Sequence, residues 1–286
     1  MSSAAAGSSP PPSPSGSPFP GGADAVVGAG QTPGLVIAGL SLPRGATLIK
    51  HDRTAHAGPW TVVVRRAGGS LGRHGAVVTF PVAAPSDGRP VRVGDVSGRA
   101  REHEITCPLA GSYARVRGDL PRSGLTAVAA GTGVVSGRPA VDPPPGLSVV
   151  SEGVSRPVDL LEARYGSKAT GESEELSGGL TFTGVARCGG LEDGLYAAPV
   201  RTAGTVHGKP AVVTSALGGN GALVWEPAPG VVAYVGYSGA SLDDGAVAAL
   251  RRLAARTRLL TPGQWRATAP ATSDQDNDLD LSEPSA

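Results

Sequence analysis

The sequence predicts an α+β protein made of two tandem repeats, each a curved antiparallel sheet with a C-terminal helix packed on it. Three observations predict it: colinear self-similarity along the chain, β-rich runs separated by glycine- and proline-marked turns, and a capped amphipathic segment after the last run. The self-similarity has five members. LPRGATLIK (42–50) matches PPPGLSVVS (143–151), TVVVRRAG (61–68) matches DLLEARYG (159–166), and GAVVTFPV (75–82) matches GGLTFTGV (178–185). PVRVGDVSG (90–98) then matches PVRTAGTVHG (199–208), and CPLAGSYARV (107–116) matches EPAPGVVAYV (226–235). Each match alone is weak. Five in one order point to an ancient tandem duplication.

The chain divides accordingly. Residues 1–33 are rich in serine, proline and glycine and bury too little apolar surface to fold, so disorder is expected. Residues 34–140 form the first repeat and 141–266 the second, joined through the proline-rich VSGRPAVDPPPG (135–146). In the second repeat, Ala211–Leu217, Ala222–Glu226 and Val231–Tyr237 read as an antiparallel meander. Its turns are marked by Gly218-Gly219-Asn220-Gly221 and by Pro227-Ala228-Pro229-Gly230. A helix is expected over about residues 243–258. Ser241 or Asp243 caps it, Asp243 and Asp244 suit its positive end, and Arg251, Arg252, Arg256 and Arg258 crowd the other end. Val247, Leu250, Leu253 and Ala254 share one face. The first repeat offers a weaker, glycine-bearing helix at Ser123–Thr132, and it is about nine residues shorter between its conserved glycines, which predicts a shorter sheet. Residues 267–286 carry Asp274, Asp276, Asp278, Asp280 and Glu283 with no basic residue, and are expected to form a disordered acidic tail.

Composition narrows function. Lys and Arg number 25 against 24 Asp and Glu, so no net charge draws the chain to nucleic acid or an anionic membrane surface. No run has the apolar length of a transmembrane segment, and residues 1–24 lack the pattern of a signal peptide. The Ser/Pro-rich start is also the kind of tract that tethers a domain to something upstream.

Candidate chemistry is thin. Cys107 and Cys188 are too far apart for a paired-cysteine zinc site, and admit either one disulfide or two buried thiols. His51, Asp52 and His56 read as a polar loop, with no further ligand in spacing to complete a metal site. His207 in Val-His-Gly-Lys has Ser97 as its twin, so the duplication supplies no paired catalytic histidine. No Gly-x-Ser-x-Gly elbow is present, and Gly111-Ser112-Tyr113 reads as a turn into a strand. His103 and Cys107 lie at an even spacing that holds their backbones too far apart for a catalytic pair. VGAGQTPG (27–34) does not join a strand to a helix in the nucleotide-binding manner, and DQDNDLD (274–280) has Leu279 where a calcium loop needs glycine. No catalytic residue, metal or cofactor is therefore assigned.

The run GKPAVVTSALGGNGALVWEPAPGVVAYVGYSGASLDDGAVAALRRLA resembles an uncharacterised bacterial α+β domain found in lipoproteins and in the extracytoplasmic parts of anti-sigma-type membrane proteins. Gly208–Ala211, Leu223–Glu226 and Tyr234 carry the resemblance, which covers about residues 199–260. It implies an extracytoplasmic, non-enzymatic binding, sensory or regulatory module of the bacterial envelope, with another protein as partner. A chain that begins at Met1 implies a cytoplasmic one instead. A small hydrolase without a recognisable motif and a structural spacer are the competing classes. Within the motif, Leu223 and Trp225 share one strand face, with Val224 and Glu226 on the other. That makes Trp225 core and Glu226 rim; the alternative is an exposed Trp225 that anchors a partner beside Glu226.

Overall fold

The computed structural model describes residues 34–37, 46–53, 59–154, 161–167, 181–217, 220–237, 242–260 and 272–274. The chain opens with strands β1 (Gly34–Ile37) and β2 (Ala46–Arg53). Next come β3 (Trp60–Ser70), β4 (Arg73–Val82), β5 (Arg89–Val93), β6 (Val96–Ala100), β7 (Glu104–Leu109) and β8 (Ser112–Gly118). Helix α1 (Arg122–Ala130) leads into β9 (Thr132–Val135), β10 (Arg138–Val141) and β11 (Leu147–Val154). The second half holds β12 (Leu161–Ser167), β13 (Thr181–Arg187), α2 (Cys188–Ala197), β14 (Arg201–Val206), β15 (Lys209–Leu217), β16 (Asn220–Ala228) and β17 (Val231–Tyr237). It ends with α3 (Asp244–Ala255), β18 (Thr257–Leu260) and β19 (Thr272–Asp274).

Two large sheets organise these elements. Sheet 1 has the order β11-β3-β4-β8-β7-β6-β5, and sheet 2 the order β14-β15-β16-β17-β13-β12-β2-β19. Pairing is antiparallel throughout, except that β19 lies parallel to β2. The class is α+β with antiparallel sheets, as the sequence predicts.

Apart from the additional edge strand β19 of sheet 2, the two sheets read from opposite ends have the same connectivity, with one exchange. The strand beside β3 is β11, from beyond the middle of the chain; the strand beside β12 is β2, from its beginning. The registers of the exchanged strands correspond, and they make Val64 equivalent to Tyr165, three residues from the place that the match of 61–68 with 159–166 gives it. Leu147, Ser148 and Val149 face Arg66, Arg65 and Val64, the register then shifts, and Ser151 faces Val63. Ala46, Thr47 and Leu48 face Ser167, Gly166 and Tyr165, the register shifts, and Lys50 faces Arg164. Matching 42–50 with 143–151 places the two bulges, at Ile49 and Val150, at one position. The short pairs behave alike: β10 pairs with β9 after α1, whereas β1 pairs with β18 after α3. A division at residues 140 and 141 therefore does not separate the sheets, because each half of the chain supplies a strand to the other's sheet.

Other expectations meet the structure as follows. The meander β15–β16–β17 is present, and β8 and β17 sit at corresponding places in the registers with the offset that the 107–116 and 226–235 match requires. The two Pro-Val-Arg segments both reach the edge hairpins, β5–β6 and β14–β15, but their turns differ: Gly94-Asp95 in one, His207-Gly208 in the other. The extra residues of the second half lengthen β15 and β16 and add no strand relative to β6 and β7. Asp243 caps α3, its Oδ1 accepting from the Ala246 N–H at 2.8 Å, and Arg252 lies in the last turn. α1 starts at Pro121 without a side-chain cap. β19 lies inside the segment expected to be without structure. Residues 1–33 and 275–286, the expected disordered start and the rest of the acidic tail, lie outside the described residues.

The core is layered. α1 packs on the outer face of sheet 1 with Val62, Val64, Val78, Ile105, Val116, Leu125 and Val128. α3 packs on the outer face of sheet 2 with Leu223, Trp225, Val235, Leu250 and Leu253. Between the inner faces lies α2, whose Leu191, Leu195 and Tyr196 meet Val63 and Val77 of sheet 1 and Val212, Val224, Val232 and Tyr234 of sheet 2. Covering both faces of each sheet explains why β4 and β17 are buried in continuous runs, against the alternation of half-exposed strands.

Candidate functional site

The inner layer contains the densest set of charged side chains among the described residues. Strand alternation places Thr61, Val63 and Arg65 of β3 on the face opposite Val62 and Val64, hence toward α2. The same alternation aims Arg115 and Arg117 of β8 inward. α2 presents Glu192 and Asp193 to them, both buried, with side-chain exposures of 0% and 2%. Gly189 permits this approach: a Cβ there would come within 1.7 Å of the Thr61 Oγ1, so α2 sits too close to β3 for any side chain.

Glu192 is held from three directions. Arg65 donates to it through Nε at 3.0 Å and Nη2 at 2.6 Å, the Gly72 N–H donates at 3.1 Å, and the Tyr196 hydroxyl donates at 3.2 Å. The third guanidinium nitrogen, Arg65 Nη1, donates to Glu226 Oε2 of β16 at 2.5 Å. Glu226 in turn accepts from the Gly230 N–H at 2.9 Å. Arg65 of sheet 1 thus ties α2 and sheet 2 together. Beside it, Asp193 accepts from Arg115 Nη2 at 2.5 Å and Arg117 Nη1 at 3.3 Å, while Arg117 also donates to Glu104 Oε2 at 2.7 Å and 3.0 Å.

Burial shapes the ionisation. It pushes the Glu192 and Asp193 carboxyls above the usual carboxylate range, opposed by Arg65 for the first and by Arg115 and Arg117 for the second. Burial opposes the charge of Arg65, yet Glu192 and Glu226 outweigh it and hold the guanidinium above its ordinary value. Burial and the neighbouring Glu192 carboxylate push the Tyr196 phenol upward. A carboxylate that already accepts four hydrogen bonds inside a packed layer acts as an anchor for α2.

The residues singled out in the sequence fall elsewhere. Trp225 is 1% exposed in the core between sheet 2 and α3, which agrees with the reading of it as core and overturns the alternative of an exposed partner anchor: α3 covers the outer face of β16. Glu226 is the member of that pair that reaches the charge cluster. Cys107 is a free, buried thiol in the α1 layer, and burial pushes it up, so a disulfide is not formed there. The side chain of Cys188 lies outside the description. His51 and Asp52 belong to β2 and not to a loop, and His56 lies outside the described residues. His103 precedes β7 on the surface and does not share its strand with Cys107. His207 turns β14 into β15, its Nε2 lying 2.9 Å from the Thr257 carbonyl. No group of three or more metal-ligating side chains gathers among the described residues.

The sequence reading missed α2 and its partners. The available signals were an acidic pair inside the otherwise small and apolar CGGLEDGLYA, and arginines inside strand-like runs at Arg65, Arg115 and Arg117.

Fold and cluster together define an antiparallel α+β protein whose two sheets are clamped around a central helix by buried ion pairs. No family model, curated protein or solved structure matches the chain.

Proposed function

We propose that the chain is a duplicated, strand-exchanged binding module of the bacterial envelope that recognises another protein and carries out no chemistry. The observation that carries this reading is the employment of its converging charged groups. Arg65, Glu192, Glu226, Arg115, Arg117, Asp193 and Glu104 bind one another across the inner layer, joining sheet to helix to sheet. Groups spent on holding a scaffold together serve a protein whose contacts are made at its surface, where the edges of both sheets lie.

The duplication reading is supported by the common strand order of the two sheets and by the corresponding bulges at Ile49 and Val150. The exchange of β2 and β11 is what a swapped dimer of single repeats becomes once its genes are fused. The envelope location rests on the resemblance of residues 199–260, and fractionation of natively expressing cells tests it: recovery only from the soluble cytoplasmic fraction overturns that location.

A broad panel of esterase, peptidase and phosphatase substrates tests the absence of catalysis. The expected result is no turnover above a heat-denatured control. Turnover lost in a His103→Ala or His207→Ala variant that keeps its fold would identify an enzyme.

A further inference from the structure

The edge of sheet 2 formed by β14 carries a patch of cations. Among the described residues β14 pairs only with β15, and Arg201, Thr202, Gly204 and Thr205 along it are exposed, Arg201 being paired with Asp244 of α3 at 3.2 Å. Beside it stand Lys209 at the start of β15 and Arg251 and Arg252 of α3, all exposed and without an ion pair among the described residues. The Arg251 guanidinium lies across the strand at Gly204, where a Cβ would come within 3.3 Å of Nη2. Gly204 has φ of +75°, and the β14–β15 register shifts between Thr202 and Thr205, so the edge is bent under the arginine.

The chain that leaves the opposite edge carries the complementary charge in its sequence. β19 (Thr272–Asp274) lies parallel to β2 as the last strand, so the chain is already extended where its acidic segment begins. Asp274, Asp276, Asp278 and Asp280 recur at every second residue. In an extended conformation such spacing puts all four carboxylates on one face, about 6.8 Å apart.

Length decides whose patch they meet. β14 and β19 stand at opposite ends of eight strands, about 34 Å apart at the usual strand spacing. The run from Asp274 to Asp280 spans at most about 20 Å. That is short of the span across the sheet, which favours the β14 edge of a second copy over that of its own chain.

We propose that the acidic segment 274–280 of one copy adds as an extended strand along β14 of a second copy, its aspartates meeting Lys209, Arg251 and Arg252. The contact is head-to-tail, because donor and acceptor edges differ, and it propagates into open chains of copies unless the rotation between them closes a ring. The assignment rests on the reading of the chain as a binding module, but the two fail separately: turnover in the substrate panel overturns the module, and monomeric behaviour overturns the assembly.

The test is sedimentation equilibrium of the full chain at about 20 mM and about 1 M salt, conditions that leave and remove long-range attraction between surface charges. Two variants accompany it: a patch variant (Lys209→Glu, Arg251→Glu, Arg252→Glu) and a tail variant (Asp276→Asn, Asp278→Asn, Asp280→Asn). The expected result is a mass that rises with concentration at low salt, falls to the monomer at high salt, and stays monomeric for each variant alone. An equimolar mixture of the two variants is expected to form a 1:1 complex, since one supplies the tail and the other the patch. A monomeric wild type at low salt, self-association that survives in the tail variant, or a mixture of wild type and tail variant that associates no more than the tail variant alone would each overturn the proposal.

Discussion

Replacing Glu192 or Arg65 tests the clamp most sharply, because each is buried and each has several partners. Glu192→Leu removes the acceptor of four hydrogen bonds and leaves Arg65 inside the protein, paired with Glu226 but without the carboxylate of α2. Removing one member of a buried ion pair costs about 3–5 kcal/mol, because the other is left inside without compensation. Arg65→Leu takes the guanidinium from both Glu192 and Glu226 and falls in the same range of about 3–5 kcal/mol. Additivity would make the double variant about 6–10 kcal/mol less stable, more than many domains possess. Replacing both charges by leucine removes the buried uncompensated charge on α2, and such replacements are often neutral. What remains is the loss of the Arg65–Glu226 contact and of the Gly72 and Tyr196 hydrogen bonds, about 1–3 kcal/mol for each group left unsatisfied. The Gly72 and Tyr196 losses belong already to Glu192→Leu and the Glu226 loss to Arg65→Leu, so the double variant is expected to fall short of the additive sum by about the charge penalty of one single variant, about 3 kcal/mol. Urea denaturation followed by circular dichroism gives all four corners of the cycle. Single variants that lose under about 1 kcal/mol, as surface pairs do, or losses that add, would refute the reasoning.

Further outcomes follow from the same packing. Gly189→Ala drives a methyl group into Thr61 and must lift α2 from β3, so a loss of at least about 3 kcal/mol is expected in the same assay; a loss near zero would show that α2 does not lie there. Tyr196 keeps its proton in the folded state above the pH at which an unfolded tyrosine loses it, so its contribution to stability is complete below about pH 10 and declines as pH rises beyond it. Titration at 295 nm is expected to show no difference between wild type and Tyr196→Phe up to about pH 10.5 in the native state, and one tyrosine fewer for the variant in urea; a native difference refutes the burial. Cys107 is expected to resist thiol reagents at pH 8 until the chain is unfolded, as peptide mapping of the labelled protein would show.

Much of the outer half of each layer is legible in the sequence. The β15–β16 hairpin forms where the glycine- and asparagine-rich run announces it, although Asn220 and Gly221 themselves open β16; Asp243 caps α3, and Leu250 and Leu253 fall on the face that packs, because these signals are local and depend on few neighbours. The inner layer is not. α2 contains Gly189, Gly190 and Gly194, each unfavourable in a helix by about 1 kcal/mol relative to alanine, so propensity argues against it and only its fit between two sheets sustains it. Arg65, Arg115 and Arg117 sit where alternation would place solvent-facing residues, and the inward turn of that face depends on a second sheet distant in sequence. Under the proposed duplication, 42–50 and 143–151 are equivalent strands, and that equivalence makes their destinations invisible in sequence: each would fit either acceptor edge with the same register.

That exchange carries the architecture, and a crosslink between β2 and its acceptor tests it directly. His51 stands opposite Ala163 in sheet 2, whereas an unexchanged hairpin would place it opposite Val62, the partner of its counterpart Glu152. His51→Cys with Ala163→Cys, treated with a short bismaleimide and mapped by mass spectrometry, is expected to give a crosslink within one chain, and His51→Cys with Val62→Cys none. The reverse, a 51–62 crosslink without a 51–163 one, would contradict the exchange and return each strand to its own half.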